Sequence, residues 1–573
     1  MTSGVSKLEL EEDAHRAALE DNPSEVHVEW RTWAAVLSMA ISFGPPIGIA
    51  FGSVAAVVAP VTQELGGFDK LAWVVGAWSL ATACSFSVSG ALSDTFGRRN
   101  PILLGQVLSI VGFIMGGVAR DVETLIAAEA FIGFSTGLIF VSYAGVPEML
   151  PNKYRSLGLG ILDGGIALPW GIIAVILGQA LLKYASWRWI FWIALIVEAV
   201  GLAGTATFYW PASRPHGSRL QQLKEIDWIG LTAFIGGLAV LLVGLTWGGQ
   251  AGHPWSGPSV IAPIVVGLVA VVGAFVYDFT IAANPIFPLN LFRQFREYTV
   301  LLIVMFVSGM MYNALLPLLT QGSSYMFTQD GIQVGLMSLP YTVMTLIVGC
   351  IVPMLAHKIG HMKWQVVAAV ALQTTFIAAT ASAVNPRNYW GWIFLPAFGI
   401  PMFTWLTILT YAIASLHVPY SKLGVAVGLL GTFRAAGGAV GNAIFSTILN
   451  NKFNQYVGEE VVPLVFMNGF NATDIGPIIG GAIQHNLGVP FALAAYPPSM
   501  AAPLMEAVRT AYGRAFYVVF LCTIPFSAVA LAFSFFVEDP TKYMTNHVQM
   551  AMSTKLEDEE VPVAEKGAAE VAK

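Results

Sequence analysis

The sequence predicts an all-α membrane protein that crosses a bilayer about fourteen times. Two observations predict it. Asp, Glu, Lys and Arg make up only 11% of the 573 residues while 56% are apolar. Soluble domains carry roughly 25% charge, so a soluble fold of this length would lack its charged shell. The apolar residues are also gathered into long runs, as needed for helices that cross ~30 Å of hydrocarbon with every backbone polar group bonded within the helix.

In chain order, residues 1–32 form an acidic tail with no apolar core of the signal-peptide type, so the first span is expected to direct its own insertion. Runs of spanning length follow at 33–61, 71–92, 101–119, 124–146, 156–182, 188–208, 228–248, 259–281, 297–320, 331–355, 364–384, 391–416, 423–449 and 514–537. The first contains Pro45-Pro46 and is expected to kink or begin late. Residues 450–513, rich in Pro and only weakly apolar, are expected to form a long loop that could hold a re-entrant or interfacial piece.

Loop charges orient the chain, because Lys and Arg are retained on the cytoplasmic side. With the N-terminus inside, the inner loops carry Arg98, Arg99, Lys153, Arg155, Arg214, Arg219, Lys224, Arg293, Arg296, Lys358, Lys363 and Lys422. The short outer loops carry only Lys70, Arg120, Lys183, Arg188 and Arg387. Both termini are therefore expected in the cytoplasm. The one permissible glycosylation sequon, Asn471-Ala-Thr473, then falls in the long outer loop.

Composition excludes several functions. The net charge of −6 offers no basic stripe for nucleic acid. Cys84, Cys350 and Cys522 each lie within an apolar run and read as buried thiols. No phosphate-binding loop, metal-ligand cluster or nucleophile constellation is recognisable, so neither a cofactor nor an enzyme is expected. His357 and His361 lack further ligands nearby.

One loop carries more information. After the second run the chain reads Gly90-Ala-Leu92-Ser-Asp94-Thr-Phe-Gly97-Arg98-Arg99. Gly90 permits close helix approach, Asp94 suits a helix N-terminus, Gly97 suits a tight turn, and the Arg pair can bind carboxylates across the bundle. After the tenth run, Pro353 to His361 repeats the pattern weakly: Leu355 and Gly360 match Leu92 and Gly97, and His357 stands in place of Asp94.

The loop resembles the signature G-x-L-x-D-x-x-G-R-R of the major facilitator superfamily. Pro147-Glu148 through Arg155 is similar to that superfamily's loop after span 4, which places Glu148 toward the Arg pair. Trp187-Arg-Trp-Ile-Phe191, Asp227-Trp228-Ile-Gly230 and Leu245-Thr-Trp247-Gly-Gly249 resemble the fourteen-span drug:proton antiporters, and the chain is similar to their fungal trichothecene efflux pump-like branch. Two positions depart from the pattern. Glu129 stands where span 4 usually has Arg, and the span 5 motif survives only as Gly160, Gly164, Gly165, Pro169 and Gly171.

The resemblance implies a tail (1–32), a six-helix bundle (33–208), a linker with two extra spans (209–296), a second six-helix bundle (297–537) containing the outer loop 450–513, and a tail (538–573). It also implies a small-molecule substrate, protons as the coupling ion, and a plasma membrane location, with the vacuolar membrane as second choice. The oligomeric state stays open, and a monomer suffices. Ionisable residues inside spans are costly and mark function, so Glu129, Asp163 and Glu198 are the proton-coupling candidates. Trp170, Tyr312, Tyr325, Tyr341, Trp405, Tyr411 and Arg434 are the cavity candidates. The expected function is proton-driven efflux of a hydrophobic toxin, drug or secondary metabolite. Ferric-siderophore import on the same fold is the alternative, and a non-transporting receptor is a third reading.

Overall fold

The computed structural model describes residues 28–67, 70–211, 227–249, 253–282, 287, 289–419, 422–469, 471, 475–486 and 498–545. Most of the N-terminal tail, the inner-loop residues Arg214, Arg219 and Lys224, the sequon residues 472 and 473, and the last 28 residues lie outside that set. Fourteen described helices are long and apolar enough to span a membrane. In order, spans 1 to 14 are Trp30–Glu64, Trp73–Phe96, Arg99–Val118, Val122–Met149, Asn152–Tyr184, Trp189–Phe208, Trp228–Trp247, Pro258–Thr280, Phe295–Met326, Gly331–Met354, Met362–Ala383, Tyr389–His417, Leu423–Met467 and Ala501–Ser534. The ends of the even-numbered spans share one face with Asp94 and Arg98, the motif side.

Three spans of the first half are interrupted. Span 1 runs on from Trp30, but turns widely over Gly44–Phe51, where Pro45 and Pro46 supply no N–H. Span 4 divides between the helices Val122–Ile139 and Ser142–Met149. Span 5 breaks over Ala167–Gly171, where Leu168 has φ −114° and ψ 120° ahead of Pro169. Discontinuous helices in transporters place freed backbone and polar side chains at binding sites.

Spans 1–6 and 9–14 form the two halves. They meet along two seams, span 2 against span 13 and span 5 against span 10. Small residues make both seams close. A Cβ on Gly90 would sit 2.6 Å from the Gly424 carbonyl oxygen, and one on Gly160 would sit 3.2 Å from that of Cys350. Spans 7 and 8 form a hairpin whose span 7 packs on both span 2 and span 13. At the far end the hairpin is pinned by Trp255 Nε1, which donates to Thr447 Oγ1 at 2.9 Å, and by Trp247 edge-on to Trp73.

The stretch 450–513 corrects the expectation of a long loop: its described part is largely helical. The helix of span 13 continues to Met467, 45 residues in all, about 67 Å at 1.5 Å per residue and so roughly twice the hydrocarbon thickness. Another helix covers Ile475–Asn486, and the helix containing span 14 begins at Pro498. The projecting part of span 13 buries Leu449, Phe453, Val457, Val461 and Val465, a stripe recurring every fourth residue, while Asn451, Asn454 and Gln455 face out. Phe453 stacks on Tyr512 at 3.8 Å, and Arg514 reaches Glu459 (2.9 Å) and Glu460 (3.0 Å). A stripe with a polar back makes a helix that stands in water, so a search for apolar runs passes over it.

Candidate gate and transport site

On the motif side, two clasps join the halves. In the first, Asp94 caps span 13. Its Oδ1 accepts from Gly424 N at 3.0 Å and its Oδ2 from Val425 N at 2.7 Å, so a carboxylate meets the positive end of a helix belonging to the other half. Arg98, 2% exposed, donates to Asp94 and also to Glu148, from Nε at 2.9 Å and Nη2 at 2.8 Å. In the second clasp the charges are exchanged. The fully buried Arg155, at the start of span 5, donates through Nη1 to the Ser415 carbonyl near the C-terminal end of span 12. A guanidinium suits the negative end of a helix.

One expectation changes in detail. Arg99 binds no carboxylate among the described residues. It donates to the carbonyls of Tyr209 (2.7 Å) and Ala206 (3.1 Å) and stacks on Trp210 at 3.6 Å, fastening span 6 within its own half. Gly97 takes φ 81°, and Gly360 in the weaker copy takes φ 66°, so both copies turn through a conformation that Gly tolerates best. In that copy His357 faces Tyr154 edge-on at 5.4 Å, just ahead of Arg155 in span 5. The two loops therefore address spans 13 and 5 in parallel fashion.

Deeper in, the seam holds a polar cluster. Asp163 lies four residues before the break in span 5, and its Oδ2 is buried without a hydrogen bond. It is within electrostatic reach of Tyr143 and of Arg434 from the other half. Arg434 has no hydrogen bond or ion pair to a described residue. Its guanidinium lies over Phe140 at 4.6 Å and Phe86 at 5.6 Å, both in the first half. Tyr143 and Tyr411 meet across the seam at 4.7 Å, and both hydroxyls are buried and unbonded. Tyr312 stacks on Phe403 at 4.2 Å and lies within electrostatic reach of Tyr341, Arg434 and Asp163. A cation, a carboxylate and two phenols, all incompletely bonded, create strong demand for a ligand or water, because each unmet buried polar atom costs about 1–3 kcal/mol.

The remaining candidates lie elsewhere. Glu129, 1% exposed, is buried in span 4 one turn before Gly133, which presses on Trp78 of span 2; neither Glu129 Oε1 nor Trp78 Nε1 is hydrogen-bonded. Glu198 in span 6 faces Ser42 of span 1, beside Gln106, whose Nε2 donates to Ser42 Oγ (2.6 Å) and Thr205 Oγ1 (3.0 Å). Trp170 fills the crossing of spans 1 and 5 against Gly44 and Gly48. Trp405 is half-buried with its indole N–H unbonded. Tyr325 packs on Tyr512 in the projecting helix pair. Asn471 is exposed. The described Asp, Glu, His and Cys residues form no group of three that could hold a metal.

Sequence reasoning missed Tyr143, Phe140, Ser415 and Gly424. Phe140 and Tyr143 flank the division in span 4, and Gly90's demand for a backbone partner pointed to some small residue such as Gly424. Nothing in the sequence singled out Ser415, because it contributes a carbonyl.

Two helical halves with parallel motif loops, clasped through helix termini around a central cluster, define a secondary carrier of the major facilitator type. The structure of the human organic anion transporter MFSD10 (TETRAN) shares the fold, with a TM-score of 0.51 at 14% identity, covering 88% of this chain and all of that one. The chain belongs to the fungal trichothecene efflux pump family (TRI12), which matches residues 23–567. It is 25% identical over 503 residues to the trichothecene efflux pump TRI12 of Fusarium sporotrichioides, covering 86% of this chain and 84% of that protein. It is 26% identical over 573 residues to the TRI12 pump of Trichoderma arundinaceum (94% and 91% covered) and 25% identical over 542 residues to the MFS-type transporter prx5 of Penicillium rubens (92% and 94%). Family membership favours efflux over siderophore import.

Proposed function

We propose that the protein expels a hydrophobic toxin or secondary metabolite in exchange for protons, by rocking its two halves about the cluster of Asp163, Arg434, Tyr143 and Tyr411. The observation that carries this reading is the position of that cluster. It lies between the halves, beside the break in span 5, with its polar atoms unsatisfied. Relatives named as trichothecene efflux pumps support the cargo class. Residues 33–208 and 297–537 are the moving halves, and 209–296 joins them.

Asp163 is the coupling carboxylate in this proposal, because its charge bears on Arg434 across the seam; adding a proton changes which arrangement of the halves is favoured. Glu129 and Glu198, buried within the first half, are secondary proton sites. The motif side faces the cytoplasm of a plasma membrane, with both termini inside, and Asn471 is a glycan site on the outer face.

The test is cargo-driven proton flux in proteoliposomes, using a trichothecene as probe. Asp163→Asn is expected to lower coupled flux at least tenfold while leaving cargo exchange measurable, and Glu129→Gln to lower it less. Full coupling in both variants would remove these residues as proton sites. Treatment of the yeast-expressed protein with an endoglycosidase is expected to raise its gel mobility, and Asn471→Gln to abolish that shift; an unchanged wild-type band argues against the glycan.

A further inference from the structure

We infer that the segment following span 14, residues 538–545, is a strap across the motif side that latches the two halves together and must let go before this side opens. Its start is tied to the second half. Glu538 N donates to the Arg296 carbonyl at 3.0 Å, and the Glu538 carboxylate pairs with Arg296 at 3.3 Å. Pro540 is buried. Thr541 Oγ1 accepts from Met362 N at 3.3 Å at the start of span 11, and Tyr543 meets His417 edge-on at the end of span 12. Asp539 Oδ1 holds the turn by accepting from Thr541 N at 3.0 Å.

The far end crosses to the first half. The Thr545 carbonyl accepts from Lys153 N at 3.1 Å, and Thr545 Oγ1 accepts from Asn152 Nδ2 at 3.0 Å. Asn152 is 1% exposed, so the strap seals a buried amide. Asn152 and Lys153 lie three and two residues before Arg155, whose guanidinium forms the second clasp with Ser415. Any motion that carries Arg155 away from Ser415 therefore also carries Asn152 and Lys153 away from Thr545.

The attachments are unequal. Among the described residues, Glu538, Thr541 and Tyr543 grip the second half, while the hydrogen bonds to the first half are made at Thr545. The strap thus stays with the second half and releases at Thr545. Residues 546–573 follow Thr545 in the sequence. The strap stabilises the closed motif side whatever the cargo or coupling ion, and this inference stands apart from the proposed function.

The test uses the full chain with Cys522→Ala, since Cys84 and Cys350 are buried. Spin labels are placed at Asn100→Cys and Lys358→Cys, both exposed on the motif side in opposite halves. Double electron–electron resonance then reads the populations with this side closed or open. Asn152→Ala with Thr545→Ala is expected to raise the open-to-closed ratio three- to tenfold, and truncation after Val537 to raise it further. Lys542→Ala, which changes an exposed side chain of the same segment, is expected to leave it unchanged. In unlabelled protein, a disulfide between Asn152→Cys and Thr545→Cys is expected to protect Arg155 and Ser415 from hydrogen exchange until it is reduced. Distance distributions for the truncated and full-length proteins that superimpose would overturn the strap, as would exchange unaffected by the disulfide. Melting temperature and monodispersity separate a shifted equilibrium from misfolding.

Discussion

Asp94→Ala is expected to abolish more than nine-tenths of transport while leaving a folded, membrane-inserted protein. The substitution removes both acceptors for Gly424 N and Val425 N and takes one of two carboxylates from the buried Arg98. A hydrogen bond to a charged group contributes about 1.5–3 kcal/mol, two of them join Asp94 to span 13, and every 1.4 kcal/mol is roughly tenfold in an equilibrium. The closed motif side should therefore lose population by about a hundredfold or more, and a cycle that cannot close one side cannot release cargo on the other. Asp94→Asn keeps one acceptor and should fall between. The measurements are cargo flux in proteoliposomes and the spin-label distance between positions 100 and 358; full flux with an unchanged distance would show that the clasp does not gate.

Gly90→Val should produce the same failure by shape alone. Its Cβ would lie 2.6 Å from the Gly424 carbonyl oxygen and 3.1 Å from Val425 Cα, backbone atoms that cannot turn away. Overpacking costs about 1–3 kcal/mol in adaptable sites and more against fixed backbone, so the open fraction should rise at least tenfold. Because the overlap lies between the halves, each half still folds. Gly437→Val makes the useful contrast. It collides with the Phe306 backbone inside the second half and should lower the yield of folded protein instead of shifting the gate. Equal loss of folded protein in both variants would argue against a distinction between seam and half.

The fold was legible because its cause is local: a run of apolar residues declares a span without reference to any other part of the chain. The projecting helices were less legible, since Phe453, Val457, Val461 and Val465 count as a buried face only once Tyr512 and its neighbours are known to lie against them. The gate was half legible. Asp94 announced that it would cap a helix, but residue spacing could not say that the amide it accepts from lies 330 positions later, at Gly424. Arg98 and Arg99 are adjacent and alike in sequence, yet one reaches carboxylates and the other reaches the end of span 6. The direction of each side chain from its helix decides that, and composition does not record it. The central cluster drew on both kinds of signal. Asp163 and Arg434 stand out as charges in apolar runs, whereas Tyr143 and Phe140 are ordinary until span 4 divides beside them.

The hairpin of spans 7 and 8 breaks the equivalence of the two seams. Two six-helix bundles alone would part alike on either flank. Here span 7 lies against spans 2 and 13 together, and the tryptophans of its outer turn are fastened to both. That flank is backed by a third element, whereas on the flank of spans 5 and 10 span 5 is itself broken, close to Asp163.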